Sequence, residues 1–366
     1  MRLQFAVFIG QITGIISKLL HLGSGSTWTG EIALRIEPDI IKILSKKLDK
    51  IILIAGTNGK TTTSKMIRTL LSDYPLVYNE EGANLVNGIA SALVTNYAVL
   101  KEKNVIGVFE IDEATLPLIL KELIPDVIVL LNLFRDQLDR YGEVRTLASK
   151  WKKSVNQLSN KTTLVLNADD AQIVFIGKEF AGKKVYFGCA ESLDGKSTEQ
   201  QSIDRWGDSL FCPDCGNQLF FQAISFSHLG DWRCSNCEFI RPPLDHVINH
   251  IHVSIEGVHN KYNATAALLA VSAIGIKPEE EQLHTFTPAF GRMEEIIVAT
   301  GEEKKRVLIL LSKNPTGFNQ NIKLLTEKNG VGSILLVLNN RIPDGRDVSW
   351  IWDVDFGPVV DHSSII

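Results

Sequence analysis

The sequence predicts an α/β protein built on a parallel sheet that carries a nucleotide-phosphate loop. Nearly continuous aliphatic runs of strand length, at 105–111, 127–133 and 163–166, alternate with segments of helical periodicity at 84–100 and 114–123. Such runs are typical of strands that are buried on both faces of a parallel sheet. A further run at 51–55 turns at glycines into a helix-period segment at 64–71. Since ligands of parallel sheets bind at the carboxyl ends of strands, this turn is the first candidate site.

The turn has the composition of a phosphate loop. Gly56 and Gly59 let the backbone turn with its N–H groups inward, and the following helix adds the positive end of its dipole. Lys60 is expected to reach the β- and γ-phosphates of ATP, and Thr61 to hold Mg²⁺. Ile54 stands where the longer form of the motif has its first glycine, so a ligand-free glycine-rich turn is the alternative. The expected nucleotide-binding residues are Gly56, Thr57, Asn58, Gly59, Lys60, Thr61 and Thr62.

Length and composition limit what such a site can belong to. The 366 residues suffice for two or three domains. A net charge of −4 and a pI near 6.1 give no electrostatic reason to expect a nucleic-acid partner. Four of the five cysteines form two Cys-x-x-Cys pairs, which together with an ATP-type site indicates metal binding in a reducing, cytoplasmic compartment.

The N-terminal segment, 1–45, is predicted to be helical. Apolar residues from Phe5 to Leu20 recur at i, i+3, i+4 and i+7, which describes one face of a helix. Polar residues interrupt the run before it reaches the length of a transmembrane segment, and no cleavage site follows. The helix is expected to pack on its own domain, and a helix lying on a membrane surface is the alternative. A flexible link at 23–26 and a second helix at 38–48 complete the segment.

Acidic residues follow two of the predicted strands. Glu110 ends one strand, and because its neighbours are apolar it is the expected carboxylate ligand of Mg²⁺. For Asp112 and Glu113, a solvated loop position is about as plausible as a role in the site. The residues that follow the strand at 127–133 are also polar; with the end of that strand they are Asn132, Arg135, Asp136, Asp139 and Arg140.

An insertion at 205–243 interrupts the alternation of strands and helices. Its four cysteines, in two pairs separated by eighteen residues, have the spacing of a zinc ribbon. Four thiolates fill the coordination of Zn²⁺, so the metal is expected to be structural rather than catalytic. The segment between Arg205 and Arg241 has three arginines and four acids, which does not favour a nucleic-acid-binding ribbon. The expected ligands are Cys212, Cys215, Cys234 and Cys237.

Three motifs together resemble the ATP-binding central domain of the Mur ligases. They are the phosphate loop, the acidic segment at 110–113 and the segment His-Asn-x-x-Asn-x-x-Ala-Ala at 259–267. The stretches at 132–143, 313–317 and 347–356 and the inserted ribbon narrow the resemblance to the MurT family. The resemblance implies a Mur-ligase central domain over 46–300 and a C-terminal α/β domain over 301–366. Family members continue beyond the last of these stretches, so this C-terminal domain is expected to be short.

The resemblance also implies a function. MurT proteins are synthetase subunits of the enzyme that amidates the D-glutamate of lipid II in peptidoglycan synthesis. The implied reaction uses ATP and Mg²⁺, passes through an acyl phosphate, and takes place at the cytoplasmic face of the membrane. By the same resemblance Lys60 contacts the phosphates, Thr61 and Glu110 hold Mg²⁺, and Asn260 and Asn263 lie near the adenine. An amino-acid-adding ligase of the Mur or folylpolyglutamate type, and a non-catalytic zinc-ribbon scaffold, are the alternatives.

The source of ammonia is expected to lie on another chain. Cys189, which is not in a metal pair, lacks the second glycine of a nucleophile elbow, and a small apolar strand residue is the favoured interpretation. The resemblance implies a GatD-type glutaminase partner whose Cys-His pair is completed in trans by Asp347. Asp347 follows a predicted strand at 334–338, and an Asp that caps the next turn is the alternative.

Overall fold

The protein was analysed as a computed structural model that describes residues 1–20, 27–80, 82–134, 144–190, 209–287, 292–300, 303–327, 333–339 and 348–362. Its helices in chain order are α1 (Arg2–Leu19), α2 (Trp28–Ile36), α3 (Ile40–Ser45), α4 (Lys60–Leu70), α5 (Val86–Thr95), α6 (Leu116–Glu122), α7 (Val144–Val155), α8 (Ala171–Gly177), α9 (Val258–Ala273), α10 (Pro315–Glu327) and α11 (Gly357–His362). The strands are β1 (Lys50–Ala55), β2 (Leu76–Tyr78), β3 (Ile106–Ile111), β4 (Val127–Leu130), β5 (Thr163–Asn167), β6 (Lys183–Gly188), β7 (Leu219–Phe226), β8 (Leu229–Cys234), β9 (His246–Val247), β10 (Arg292–Thr300) and β11 (Glu303–Leu310).

The central sheet has seven parallel strands in the order β2-β3-β1-β4-β5-β6-β9. From β1 the chain goes to β2 at the edge of the sheet and returns to β3, which lies beside β1. It then crosses to β4 on the other side of β1. The order of strands therefore reverses at β1, and the carboxyl end of this strand is where an open parallel sheet binds its ligand. The predicted parallel α/β fold is confirmed.

Strand β1 shows why the sheet needs helices on both faces. Ile51, Leu53 and Ala55 belong to one buried core, whereas Ile52 and Ile54 belong to the other. Alternate residues of a strand point to opposite faces, so a run of aliphatic residues is apolar on both. Helices α4 and α9 cover the second face, and the remaining helices before residue 178 cover the first.

Helix α1 packs on the domain through one face only. Its inner side contacts α2 and α5, where glycines allow close approach; a Cβ on Gly14 would lie 2.3 Å from Thr29 Oγ1. Phe5, Phe8 and Leu19 lie on the outer side and expose 57%, 59% and 73% of their surface. The expected packing on its own domain is therefore observed for the inner face. No helix in the described ranges is both long enough and apolar enough to cross a bilayer.

Two antiparallel hairpins lie outside the sheet. Strands β7 and β8 form the hairpin of the inserted ribbon, with Leu219 opposite Cys234. Strands β10 and β11 form the second, with Arg292 opposite Leu310. The expected domain boundary between residues 300 and 301 falls between these two paired strands. The segment after β11 has a small core of its own, formed by Ile322, Val354 and Val359.

Several elements differ from the sequence-based expectations. Strand β4 ends at Leu130 rather than at residue 133, α4 begins at Lys60 rather than at residue 64, and the helix expected at 84–100 ends at Thr95. Helices α2, α7 and α8 and strands β2, β6 and β9 were not predicted, because they are short or carry surface lysines such as Lys183. The predicted strand at 334–338 is wrong. These residues pair with no strand in the described part of the chain, and Leu335 is 83% exposed.

Candidate functional site

The phosphate loop connects β1 to α4 and requires both of its glycines. Gly56 and Gly59 have φ angles of +149° and +89°, which L side chains rarely adopt. A Cβ on Gly59 would also lie 2.2 Å from Asn263 Oδ1 on α9. The loop therefore lies directly against the helix that carries the asparagines of the second motif.

The end of strand β4 holds the loop in shape. Asn132 accepts a hydrogen bond from Asn58 N at 2.8 Å and donates from Nδ2 to Asn58 O at 3.1 Å. Thr57 Oγ1 accepts from Phe134 N at 3.1 Å. The loop is thus fixed by the neighbouring strand as well as by its own turn, which leaves its conformation prepared for a ligand.

Lys60 is buried in the loop rather than exposed. Its Nζ donates to Gly56 O at 2.5 Å and lies 3.0 Å from Glu113 Oε1, and its side chain is only 12% exposed. Burial lowers the pKa of Lys60, but the carboxylates of Glu113, Asp112 and Glu110 raise it by more, and the net shift is upward. The lysine therefore stays protonated while no phosphate is present.

Glu113 is the site residue that sequence reasoning missed. It was expected to be as plausibly solvated as functional, but its side chain is 4% exposed, and its backbone carbonyl accepts a hydrogen bond from Trp151 Nε1 at 2.8 Å. Burial raises the pKa of Glu113, and Lys60 opposes that shift. A signal was present in the sequence, since Glu113 follows Glu110 by three residues at a strand end.

Glu110 has an oxygen ready to receive a cation. In the register of the sheet it lies beside Ile54, just before the loop, and Asn79 hydrogen-bonds to both of its backbone groups at 2.9 and 3.0 Å. Gly82 N donates to Oε1 at 3.4 Å, whereas Oε2 is buried and accepts no hydrogen bond from the described residues. Thr61 lies in the first turn of α4 and is 8% exposed. A carboxylate and a hydroxyl are oxygen donors of the kind that Mg²⁺ prefers.

The start of α9 forms the opposite wall. Gly257, with φ +103°, precedes the helix, and Asn260 Nδ2 donates to Glu256 O at 2.6 Å. Asn263 donates to Asn260 Oδ1 at 3.4 Å, so the two amides lie side by side. Burial lowers the pKa of His259 to about 4, which keeps this ring neutral at physiological pH.

A cavity lies between these segments and is closed on one side by the start of α10. Asn314 Nδ2 donates to Asn58 Oδ1 at 3.1 Å, which joins the C-terminal segment to the phosphate loop. The residues lining the cavity include Asn58, Gly59, Thr62, Asn132, Asn167, Leu229, Asn260, Tyr262, Asn263, Leu310, Thr316 and Gly317. Of the expected nucleotide residues, Asn58, Gly59 and Thr62 of the loop and Asn260 and Asn263 of α9 thus line one cavity, whereas Gly56, Thr57, Lys60 and Thr61 are not among its lining residues.

The four ribbon cysteines meet as a cluster. Their Sγ atoms all lie within 4.8 Å of one another, with Cys212 and Cys237 at 3.8 Å and Cys215 and Cys234 at 3.4 Å. A Zn–S distance of about 2.3 Å puts the sulfurs of a tetrahedral site about 3.8 Å apart, so the cluster fits this metal. Hydrogen bonds, first of all from the backbone of Asn217, lower the pKa of Cys215 to about 6. All five cysteines lie in described ranges and none forms a disulfide.

Some expected residues fall elsewhere. Cys189 is buried, and its backbone N–H donates to Asp169 Oδ2 at 2.8 Å, in keeping with a small core residue. Asp347 and the segment that contains Arg135, Asp136, Asp139 and Arg140 lie outside the described residues.

Comparisons with known proteins agree with this arrangement. Residues 54–271 match the family described as "Mur ligase middle domain", and residues 311–366 match "MurT ligase C-terminal". The chain is 33% identical over 351 residues to the lipid II isoglutaminyl synthase (glutamine-hydrolyzing) subunit MurT of Staphylococcus aureus strain COL, covering 91% of this chain and 77% of that protein. The chain belongs to the MurT family. The MurT subunit of Streptococcus pneumoniae strain R6 is 31% identical to this chain, and the alignment covers 94% of this chain and 78% of that protein.

Solved structures of other Mur ligases share the fold of this MurT-family chain. A pseudomurein peptide ligase type C from Methanothermus fervidus aligns with a TM-score of 0.58 and 25% identity, covering 80% of this chain and 59% of that one. MurF from Thermotoga maritima, solved in complex with ADP, aligns with a TM-score of 0.56 and 16% identity, covering 82% and 62%. The chain thus spans about three fifths of the length of these ligases.

Proposed function

We propose that this chain is the synthetase subunit of a lipid II isoglutaminyl synthase. It amidates the α-carboxyl of the D-glutamate of lipid II through an acyl phosphate, with ATP, during peptidoglycan synthesis. The observation that carries the proposal is the meeting of the phosphate loop, the start of α9 and the start of α10 at one cavity in a MurT-family chain. Of the expected domains, 46–300 supplies the first two segments and 301–366 the third.

The nucleotide binds with its phosphates at the loop and its adenine near Asn260 and Asn263. Backbone N–H groups of residues 56–62 and the N-terminus of α4 face the phosphates. Lys60 exchanges its contact with Glu113 for phosphate oxygens, which a short reorientation of its Nζ permits. The charge that Lys60 carries then stabilises the charge developing on the transferred phosphoryl group.

Thr61 and Glu110 are the residues that would hold Mg²⁺. The buried Oε2 of Glu110, which has no hydrogen-bond partner among the described residues, fits this role, because a cation there would satisfy it. When bound, the metal neutralises phosphate charge. The four thiolates of the ribbon would hold Zn²⁺ as a structural metal.

Amide formation needs the carboxylate to be activated. A carboxylate oxygen of the D-glutamate attacks the γ-phosphorus, and ADP leaves. Ammonia then attacks the acyl carbon, phosphate leaves, and the nitrogen loses a proton to give the neutral amide. The cavity walls contribute mainly by positioning the two reactants.

The ammonia comes from a GatD-type glutaminase subunit, and Asp347 completes the Cys-His pair of that subunit. Within this chain Cys189 is buried among hydrogen-bonded residues, which supports a separate source of ammonia. Because lipid II is anchored in the membrane, the complex works at the cytoplasmic face of the bilayer.

The test is reconstitution of the reaction. The chain is purified with a GatD-type subunit and supplied with lipid II, ATP and glutamine labelled with ¹⁵N in its amide. We expect ADP and labelled amidated lipid II in equal amounts, measured by mass spectrometry. Incorporation of an amino acid in place of the labelled nitrogen would instead support an amino-acid-adding ligase, and absence of nucleotide binding would support a scaffold.

A further inference from the structure

We propose that the zinc ribbon is part of the nucleotide pocket: its hairpin supplies one wall, and its Arg241 braces the helix that carries Asn260 and Asn263. The metal at the cysteines therefore controls how tightly the pocket holds ATP. This inference rests on the proposed ATP-binding function and adds a means of regulating the same site.

The hairpin reaches directly from the metal cluster to the cavity. Leu229, the first residue of β8, is fully buried and lines the cavity together with Asn132 and Tyr262. Cys234, a member of the metal cluster, is the last residue of the same strand. Five residues of strand span about 17 Å at about 3.4 Å each, so one short rigid element connects the two places.

The brace is a buried carboxylate that joins three elements. Asp169, which follows β5, forms an ion pair with Arg241 and accepts hydrogen bonds from Tyr262 OH and Cys189 N. Arg241 lies just beyond the second cysteine pair, and its backbone N–H donates to Trp232 O at 3.0 Å on β8. Tyr262 lies on α9 between Asn260 and Asn263. The ribbon thus contacts the helix of the pocket through this carboxylate and through Leu229, which belongs to the same buried core as Tyr262.

Further contacts dock the hairpin against the end of β5. Trp232 Nε1 donates to Ala168 O at 3.0 Å, and Gly230 N donates to Asp169 O at 3.1 Å. The ring of His228, at the tip of the hairpin, packs on Phe134 with 4.6 Å between centroids. Phe134 in turn binds the phosphate loop through Thr57. The tip of the ribbon is therefore connected to both walls of the cavity.

The metal adds to the contacts that hold the ribbon in place. A two-stranded hairpin alone is marginally stable, and the ribbon core consists of a few side chains around Trp232 and Phe239. Metal binding to four thiolates supplies folding free energy to such a unit. Without the metal, Leu229 and Arg241 are held less firmly, and the wall and the brace of the pocket loosen together.

The experiment measures binding of a non-hydrolysable ATP analogue to the complex by calorimetry, with zinc content measured in parallel. Tyr262→Phe removes only the hydroxyl, which contacts Asp169 and also Ser225 on the ribbon strand β7, and Leu229→Ala shortens only the wall. Lys178→Met is the matched control, because Lys178 contacts the ribbon at Asp214 and does not line the cavity. Removal of zinc by a chelator is the fourth sample, and circular dichroism reports whether the sheet remains folded.

We expect both pocket variants to keep their zinc and to bind the analogue about tenfold more weakly, with a raised KM for ATP and a nearly unchanged kcat. The chelated complex should bind the analogue more weakly in proportion to the zinc that it has lost, and Lys178→Met should bind the analogue with normal affinity. Normal affinity in both pocket variants would overturn the inference, as would normal affinity in a folded, zinc-free complex. If affinity falls only in a Lys60 variant, the inference alone fails; if the wild-type complex binds no nucleotide, the proposed function fails with it.

Discussion

Lys60 Nζ lies 3.0 Å from Glu113 Oε1, and both side chains are almost completely enclosed. Removing one member of a buried ion pair leaves the other charge uncompensated, which typically costs about 3–5 kcal/mol. The pKa of Glu113 is raised by burial, so this carboxyl can take up a proton and reduce that cost. The pair is therefore a structural contact as well as part of the proposed phosphate site.

The first prediction separates these two roles. Lys60→Ala should lower ATP-dependent turnover by at least about 10²-fold, because charge on the transferred group loses its partner. It should also lower the free energy of unfolding, because Glu113 loses its buried partner. The double variant Lys60→Ala/Glu113→Gln should regain most of that stability without regaining turnover. Chemical denaturation and an amidation assay measure the two quantities, and full turnover in either variant would contradict the assignment.

A second prediction concerns Glu110. Glu110→Gln should weaken the Mg²⁺-dependent part of nucleotide binding by about tenfold or more, because a neutral amide oxygen is a poorer ligand than a carboxylate. Stability should not fall, since Oε2 makes no hydrogen bond within the described chain. Calorimetry with and without Mg²⁺ measures the affinity for nucleotide with and without the metal. Equal weakening in the presence of EDTA would show that Glu110 acts on the nucleotide without a metal.

The metal cluster gives a third prediction. Cys234→Ser should abolish stoichiometric zinc binding and lower the melting temperature, because a tetrahedral site needs all four thiolates. Cys189→Ser is the matched control, since this cysteine lies outside the cluster, and it should keep one zinc per chain. Metal analysis and thermal unfolding test this pair. If Cys234→Ser kept its zinc and its melting temperature, the four cysteines would not form a structural zinc site.

Asp347 gives a fourth prediction, based on the resemblance to the family. Asp347→Asn should abolish amidation from glutamine and spare amidation from added ammonium, because the ATP site lies on other segments. Equal loss with both nitrogen sources would mean that the residue only maintains its loop. The measurement is the rate of amidated lipid II formation with each donor at saturating ATP.

The fifth prediction concerns pH. Burial raises the pKa of Asp169 to about 6, although Arg241 and the hydrogen bonds from Tyr262 and Cys189 oppose the shift. Since the folded protein binds this proton more tightly than the unfolded chain, the stabilising contribution is complete below about pH 4 and is lost as pH rises through 6. A shift of about two pKa units corresponds to about 3 kcal/mol.

Asp169→Asn removes this dependence. The unfolding free energy of the wild type, relative to that of Asp169→Asn, should therefore fall by up to about 3 kcal/mol between pH 4 and pH 7. Denaturant titrations at several pH values measure it. A constant difference over that range would show that Asp169 titrates at its ordinary pKa in the fold.

The sequence was sufficient for the elements whose pattern is local. The aliphatic runs that became β1, β3, β4 and β5 are buried on both faces, and the glycines of the phosphate loop have the conformation that their spacing indicates. The spacing of the four cysteines predicted that they come together, and their Sγ atoms do lie within 4.8 Å of one another.

Contacts between distant segments could not be predicted from local sequence patterns. The pairing of Lys60 with Glu113 and the anchoring of Asp169 by Tyr262 depend on how strands and helices are arranged, and no local pattern records them. Short edge strands such as β9, with two residues, carry too few positions to show a period. The wrong strand at 334–338 has the composition of a strand but lacks a paired neighbour in the described structure.

The order of segments along the chain has a consequence for biosynthesis. During translation, the strands up to β6 and the helices of the first face are complete once residue 188 has been made, yet α9 follows some seventy residues later, after the ribbon. Until then, Val129, Val165 and Phe187, which lie on the strands that α9 contacts, lack the helix that covers them. A nascent chain with such an apolar surface is prone to aggregate or to bind chaperones. The ribbon lies between these two parts of the chain, so it is synthesised before the helix that closes the sheet.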